Sequence, residues 1–413
     1  MFKFLHAADI HLDSPLRGLD RYEGAPADQI RGATRRAFEN LVEVALREEV
    51  ALVVLAGDLY DGDWRDFNTG LFFVKQMARL KEAGIPAYAV SGNHDATSRI
   101  TRRLPLPENV HVFPTGEATT VRLEGVDVAI HGQSFAEQCT TEDLAKNYPA
   151  AVSGVFNLGV LHTSMTGRDG HGSYAPCSEA CLRDRGYDYW ALGHIHQREV
   201  LSGATTIAYP GNIQGRHIRE TGPKGCLVVH VDDNLAADPV FEPLDVLRWE
   251  VARVELEGAE GHSDALGRVG DALSQVVEQA EGRFVAVRVV LEGATSLSEA
   301  IAAAGRQWVA DIRALALDIG AERLWLEKVV NETTPPVDSR PSAEEDTPRA
   351  EVASLVGDLL ASATAGADIG VDLSDLQQKL PSELSDALRT ADSDWWRDVL
   401  GEARSRLLAE LKG

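Results

Sequence analysis

One stretch constrains this chain more than any other: Leu52-Val-Val-Leu-Ala-Gly-Asp-Leu-Tyr-Asp61. An apolar run stops abruptly at Gly57-Asp58. That reads as a buried strand followed by a sharp turn, with a carboxylate held at the strand's C-terminal end. In open α/β sheets this edge is where ligands bind. A single carboxylate there is usually a turn former. The pattern recurs, however, because strand-like runs also end at Asp9-Ile-His11, at Gly92-Asn93-His94-Asp95, at His162 and at Gly193-His194-Ile-His196. Strand ends that repeatedly present Asp, His and Asn point to one shared edge.

The flanking pattern fits a layered α/β fold. A strand over residues 2–9 leads to a helix over 28–49, with Ala33, Ala37, Leu41, Val44 and Ala45 on one face. The Asp58 strand, a helix over 66–83 stopped by Gly84-Ile-Pro86, and a strand over 87–91 follow. Beyond Pro105, strands are expected at 121–123, 126–131, 156–162, 187–193, 205–209 and 225–231, with a short helix at 178–185. The expected fold class is α/β, with two mixed β-sheets sandwiched by helices over residues 1–240.

A smaller α/β capping unit is expected at 246–332, with strands at 251–256, 284–291 and 323–330 and helices at 264–281 and 296–318. No catalytic pattern stands out in it. Residues 333–349 read as a Pro-rich linker. Residues 350–413 read as a helical C-terminal region with partner docking as one use; its Trp395-Trp396 pair is either a core anchor or a partner surface.

Composition bounds the function. At 413 residues and 44% hydrophobic content the chain can bury a large core. It has no apolar run long enough for a membrane span. Met1-Phe-Lys-Phe-Leu leads directly into the first strand, with no leader pattern. Cys139, Cys177, Cys181 and Cys226 are few for the length, so a cytoplasmic protein with reduced thiols is expected. Cys177 and Cys181 have the spacing of half a zinc site but lack a second half. The net charge is −24, which argues against a nucleic-acid partner. Two considerations weaken that argument: bound cations reverse the local field, and the residues from Pro335 onward carry −8 of the total.

Asp, His and Asn are hard or borderline donors that suit Mn, Fe, Zn or Co. A carboxylate such as Asp58 can bridge two ions about 3.5–4 Å apart, and such a pair clamps a phosphoryl group during in-line displacement. His194 and His196, two residues apart, point to opposite sides and can serve different ions. Each motif alone has a structural explanation; their joint order is far more specific. His6 and His131 belong to no motif and are expected to hydrogen-bond within the sheets, and His171 has no assigned role.

Taken in order, these motifs resemble the calcineurin-like metallophosphoesterases. Three stretches narrow the likeness: His11-Leu-Asp-Ser-Pro-Leu-Arg-Gly-Leu19, Tyr187-Asp-Tyr-Trp-Ala-Leu-Gly-His-Ile-His196 and Tyr209-Pro-Gly-Asn-Ile-Gln-Gly-Arg-His-Ile-Arg-Glu-Thr-Gly222. They look like the nuclease subunit of SbcCD-type DNA repair exonucleases, in the YhaO-like branch. The resemblance implies one ion held by Asp9, His11, Asp58 and His196, and a second held by Asp58, Asn93, His162 and His194. The ions implied are two divalent metals, manganese first, with Fe, Zn, Co or Mg as alternatives. His94 is implied to protonate the leaving oxygen while a metal-activated hydroxide attacks, and Asp61 to orient His94. Arg17, Arg99, Arg102, Arg103, Arg216, His217 and Arg219 lie near motif loops as candidate DNA contacts. The implied partners are DNA, an SMC-like coiled-coil ABC ATPase and a second copy of the chain, with no membrane.

Two other readings stand beside the DNA nuclease. One is a metallophosphatase or cyclic-nucleotide phosphodiesterase acting on a small substrate, against which a unit following the catalytic one argues. The other is a non-catalytic scaffold, against which His94 and Asp61 argue because metal binding needs neither. The negative charge favours both alternatives.

Overall fold

The structure, a computed structural model, describes residues 1–14, 26–61, 67–97, 105–165 and 174–336. Its first elements are β1 (Phe2–Ala7), α1 (Ala27–Arg31), α2 (Ala33–Arg47), β2 (Leu52–Ala56), α3 (Phe67–Glu82), β3 (Ala87–Val90) and β4 (Val110–Val112). Next come β5 (Thr119–Arg122), β6 (Val128–Gly132), β7 (Phe156–His162), α4 (Glu179–Asp184), β8 (Tyr189–Gly193), β9 (Glu199–Leu201) and β10 (Thr206–Tyr209). They are followed by β11 (Gly225–Val231), β12 (Ala237–Pro243), β13 (Leu247–Glu255), α5 (His262–Gln279), β14 (Phe284–Glu292), α6 (Ser298–Ala303), α7 (Gly305–Gly320) and β15 (Leu324–Asn331).

Two mixed six-stranded sheets result, in the orders β12-β11-β1-β2-β3-β4 and β5-β6-β7-β8-β10-β9. In the first, β1 through β4 run parallel and β11 is antiparallel to β1. The period-2 alternation of strands divides each sequence between two faces. Phe4, Leu52, Val54, Tyr88 and Val90 meet Ile130, Phe156, Leu158, Val160 and Tyr189 in one core between the sheets. The opposite parity, Leu5, Ala7, Val53 and Leu55, packs on Phe38, Leu41 and Ala45 of α2 and on Phe73, Met77 and Leu80 of α3. On the outer face of the second sheet, Leu161, Trp190 and Leu192 pack with Tyr148, Tyr187 and Leu182. The arrangement is the expected helix–sheet–sheet–helix layering. Parity also positions the site: His162 continues the series Phe156, Leu158, Val160 and so faces between the sheets at their C-terminal edge.

Several local expectations change. The helix expected over 28–49 is two helices interrupted at Gly32, and the one over 296–318 is two helices interrupted at Ala304, ahead of Gly305. Glycine is the weakest ordinary helix former, which accounts for the break at Gly32; the break at Ala304 falls on a strong helix former, and propensity does not explain it. Strands β4, β9 and β12 were not expected. The first two have three residues each, too few to show a period. β12 contains Pro239 and Pro243, which read as loop, yet it lies at a sheet edge where proline is tolerated.

By internal contacts the chain divides into two compact units: residues 1–251 with 277–287 and 322–327, and residues 252–276, 288–321 and 328 onward. The first unit thus keeps the start of β13, where Leu247 and Trp249 cluster with Ile30, Ala33, Ala286 and Trp325. β13, β14 and β15 form a three-stranded sheet. In the second unit α5 buries Ala265, Val269 and Leu273, and α7 buries Trp308, Ile312 and Ala316. No described helix is long and apolar enough to cross a membrane. Of the linker and tail read from sequence, residues 337–413 lie outside the described residues, including Trp395 and Trp396.

Candidate metal centre

The centre forms where β1, β2, β3, β7 and β8 end. Backbone pairing continues past the strands: Asp9 N–H donates to Gly57 O at 3.1 Å, His11 N–H to Asp58 O at 3.0 Å and Leu12 N–H to Leu59 O at 3.0 Å. Asp9, His11 and Asp58 have φ of 51°, 44° and 51°, and His194 has φ 101°. Left-handed non-glycine backbone costs about 1–3 kcal/mol per residue and persists where surroundings enforce it. Here the motifs enforce one another. Asp58 Oδ1 accepts from His94 N–H at 3.0 Å, and Asp9 accepts from His194 N–H at 3.0 and 3.1 Å through its two oxygens. Asp95, buried, accepts from the N–H groups of Leu59, Tyr60 and Gly92 at 3.2, 2.9 and 3.1 Å, fastening the Asp58 turn to the Asn93–His94 turn.

Two motif glycines exist for close approach. A Cβ on Gly193 would overlap the Ala56 carbonyl oxygen, and a Cβ on Gly92 would overlap the Asp58 carboxylate. Only glycine lets these loops come this near.

The side chains then converge. His11 Nε2 lies 3.2 Å from His196 Nε2 and 3.9 Å from Asp58 Oδ2. His196 Nε2 is 4.0 Å from Asp9 Oδ1. His162 Nε2 is 3.4 Å from Asp58 Oδ2 and 3.0 Å from Asn93 Oδ1, while its Nδ1 donates to Ala56 O at 3.0 Å. Three overlapping sets have ligand atoms within 4.8 Å of one another: Asp9/His11/His196, His11/Asp58/His94 and Asp9/Asp58/His162. Asp9 and Asp58 each belong to two sets, as carboxylates serving neighbouring ions must. His194 is outside these sets; its ring stands against His162 and Tyr174, with centroids 5.2 and 5.3 Å away. His196 instead faces His11, so the two histidines of that motif do point apart.

These donors fit divalent cations. They are oxygen and imidazole nitrogen with no thiolate. Two imidazole nitrogens facing each other at 3.2 Å suit a shared cation better than a hydrogen bond, which needs one of them to surrender its lone pair.

Electrostatics follow the same geometry. Burial opposes charge on both Asp58 and His162, but their mutual attraction prevails: Asp58 is held well below the usual carboxylate range and His162 rises to about 9. Burial raises Asp9, and a bound cation would counter that by favouring the ionised form. Burial, with Arg216 nearby, lowers His11 to about 4. Burial and the Asp58 charge raise Asp95 to about 7.

His94 and Asp61 form a second feature. His94 Nδ1 lies 2.8 Å from Asp61 Oδ1, and this hydrogen bond raises the His94 pKa. Asp61 also accepts from Ser14 Oγ at 2.5 Å. His94 is 38% exposed, against 2% for Asp58, so it sits at the solvent-facing side of the cluster.

Among the candidate DNA contacts, Arg216 reaches the centre but is engaged by protein carboxylates: Glu220 Oε1 at 3.2 Å and Asp61 Oδ2 at 3.7 Å. His217 and Arg219 are exposed beside it. Arg17, Arg99, Arg102 and Arg103, like His171, lie outside the described residues. Cys177 is buried, and no metal-competent group among the described residues contains a cysteine. Sequence reading missed Glu220, whose carboxylate holds His196 Nδ1 at 2.7 Å. It falls within the Tyr209–Gly222 stretch, but no spacing rule marks it.

Comparison with known proteins agrees with this geometry. Residues 2–198 match the family described as calcineurin-like phosphoesterase, and residues 249–334 match the one described as metallophosphoesterase YhaO, middle domain. The uncharacterized metallophosphoesterase YhaO of Bacillus subtilis is 38% identical over 294 residues, covering 70% of this chain and 71% of that protein. The DNA double-strand break repair protein Mre11 of Methanopyrus kandleri is 24% identical over 295 residues, covering 65% of this chain and 62% of that protein. Mre11 of Aeropyrum pernix is 27% identical over 294 residues, covering 64% and 65%. The chain therefore spans less than two thirds of either Mre11. With its ligand-bearing strand ends and a full-family relative at 38% identity, the chain belongs to the calcineurin-like metallophosphoesterases, hydrolases that use a dinuclear metal site.

Proposed function

We propose that this metallophosphoesterase is a phosphodiesterase acting on DNA, as an exonuclease or endonuclease in repair, with manganese as its ion. The observation that carries the reading is the likeness to Mre11 proteins over 295 and 294 residues. When bound, two divalent ions would polarise the phosphate and supply a nucleophile at neutral pH. The chain's own residues do the rest. Asp9, His11, Asp58 and His196 would hold one ion, and Asp58, Asn93, His162 and His194 the other. Asp61 holds His94 by Nδ1, directing Nε2 to give its proton to the leaving oxygen. A long coiled-coil ATPase is the partner we infer, with residues 350–413 as its docking region, and a second copy of the chain is a further partner. Action on a small phosphoester is the alternative, supported by the −24 net charge.

The test is cleavage of defined linear duplex and single-stranded DNA across several divalent metals, beside a chromogenic phosphomonoester. Degradation of DNA with Mn²⁺, abolished by chelator, is expected. Turnover of the monoester alone would remove DNA as the substrate and leave the hydrolase class standing.

A further inference from the structure

Glu220 is buried, at 6% exposure, and its carboxylate is surrounded by donors. Oε1 lies 2.7 Å from His196 Nδ1 and accepts from Arg216 Nη2 at 3.2 Å. Oε2 accepts from Arg216 N–H at 2.7 Å and from Asn212 Nδ2 at 3.0 Å. An ionised carboxylate only accepts hydrogen bonds. With donors at both oxygens, Glu220 has no place for a proton of its own, so the 2.7 Å contact is made by a hydrogen on His196 Nδ1; the 3.4 Å approach of Arg216 Nη2 to that nitrogen is the longer and weaker of the two. The lone pair is then on Nε2, the atom that faces His11 Nε2 at 3.2 Å and Asp9 Oδ1 at 4.0 Å. The loop that supplies Glu220 is itself locked: Gln214 Nε2 donates to Leu247 O at 2.5 Å, and Gln214 Oε1 accepts from Val246 N–H at 3.0 Å.

We propose that Glu220 is a positioning residue, which fixes the tautomer and ring orientation of His196 and so tunes one of the two metal sites. This deepens the dinuclear reading and is independent of whether the substrate is DNA. Carboxylates behind a ligating histidine commonly change metal affinity by about 10–100-fold. Arg216 extends the arrangement, because the same guanidinium that contacts Glu220 lies 3.7 Å from Asp61 Oδ2. One loop thereby supports both a metal ligand and the His94–Asp61 pair.

The experiment is calorimetric titration of the full chain with MnCl₂ for wild type, Glu220→Gln and Glu220→Ala, with thermal melting as the fold control. In Glu220→Gln the carboxamide keeps the shape; with its oxygen toward the Arg216 N–H, its NH₂ faces His196 and favours the wrong tautomer. The expected result is roughly 10–100-fold weaker binding at one of two sites in both Glu220 variants. The second site is unchanged. Equal weakening at both sites, or wild-type affinity in Glu220→Gln, overturns the proposal. Should Glu220→Ala fail to fold, the Glu220→Gln titration decides. Wild-type protein that binds fewer than two ions would refute the dinuclear reading itself, a different failure visible in a different trace.

Discussion

Histidines inside the strands and histidines at the strand ends are the same side chain under opposite constraints. His6, within β1, uses both ring nitrogens on neutral partners: Nε2 donates to Leu192 O at 3.2 Å and Nδ1 accepts from Tyr189 Oη–H at 3.1 Å. His131, within β6, meets Thr120 Oγ1 at 2.8 Å and Asn157 Oδ1 at 3.2 Å and stacks on Tyr187 at 4.3 Å. Burial holds both below the usual histidine range, His6 at about 3. At the strand ends, His11, His162 and His196 gather around Asp9 and Asp58, with the Nε2 atoms of His11 and His196 facing each other and that of His162 turned to Asp58 and Asn93. The interior histidines have both nitrogens satisfied by neutral partners, whereas those at the edge form, with Asp9 and Asp58, sets that could hold a cation. Buried histidine alone therefore says little about function; what distinguishes the two groups is whether the ring's partners are neutral or shared.

Three substitutions or conditions probe that contrast. The largest expected effect is at the edge. His94→Ala should reduce phosphodiester cleavage by about 10²–10⁴-fold, the usual worth of a general acid, with both ions retained in a metal analysis. Activity equal to wild type would sink the assigned role, and loss of an ion would make His94 a ligand, as its place in the His11/Asp58 set allows. Next, Gly193→Ala should destabilise the folded state by about 3 kcal/mol, read from unfolding in denaturant, because the new methyl collides with the Ala56 backbone rather than with a movable side chain. A change below about 0.5 kcal/mol would show that the strand end can yield. The smallest effect concerns His6. The unfolded chain takes up a proton near pH 6.5, while folded His6 does not until about 3, so acid favours unfolding through this window. Linkage gives a loss of about 2 kcal/mol by pH 5, seen as a falling melting temperature. His6→Asn should flatten that part of the pH profile; an unchanged slope would assign the acid sensitivity to other groups.

The layered fold was legible because period-2 alternation is local: Phe4 and Leu5, or Leu158 and Leu161, declare their faces within a few residues. The motifs that supply the candidate ligands were legible because each follows a short apolar run bounded by turn residues, the length of a buried strand rather than of a helix. Helix interruptions at Gly32 and Ala304 were not, since a long amphipathic pattern continues across both. The edge strand β12 was hidden by prolines that its position tolerates. Glu220 was missed for a different reason: its partner His196 is 24 residues away, and no periodicity links a loop carboxylate to the back of an imidazole.

The linear chain alone determined which residue types arrive at the strand ends and in what order, because burial and turn chemistry act between near neighbours. Only the folded molecule decided which groups stand behind them: that Glu220 orients His196, that Arg216 is engaged by Glu220 and Asp61, and that His194 turns toward Tyr174. Those outcomes depend on where separate loops cross in space, and hydrogen bonds act across that distance only after the sheets have packed.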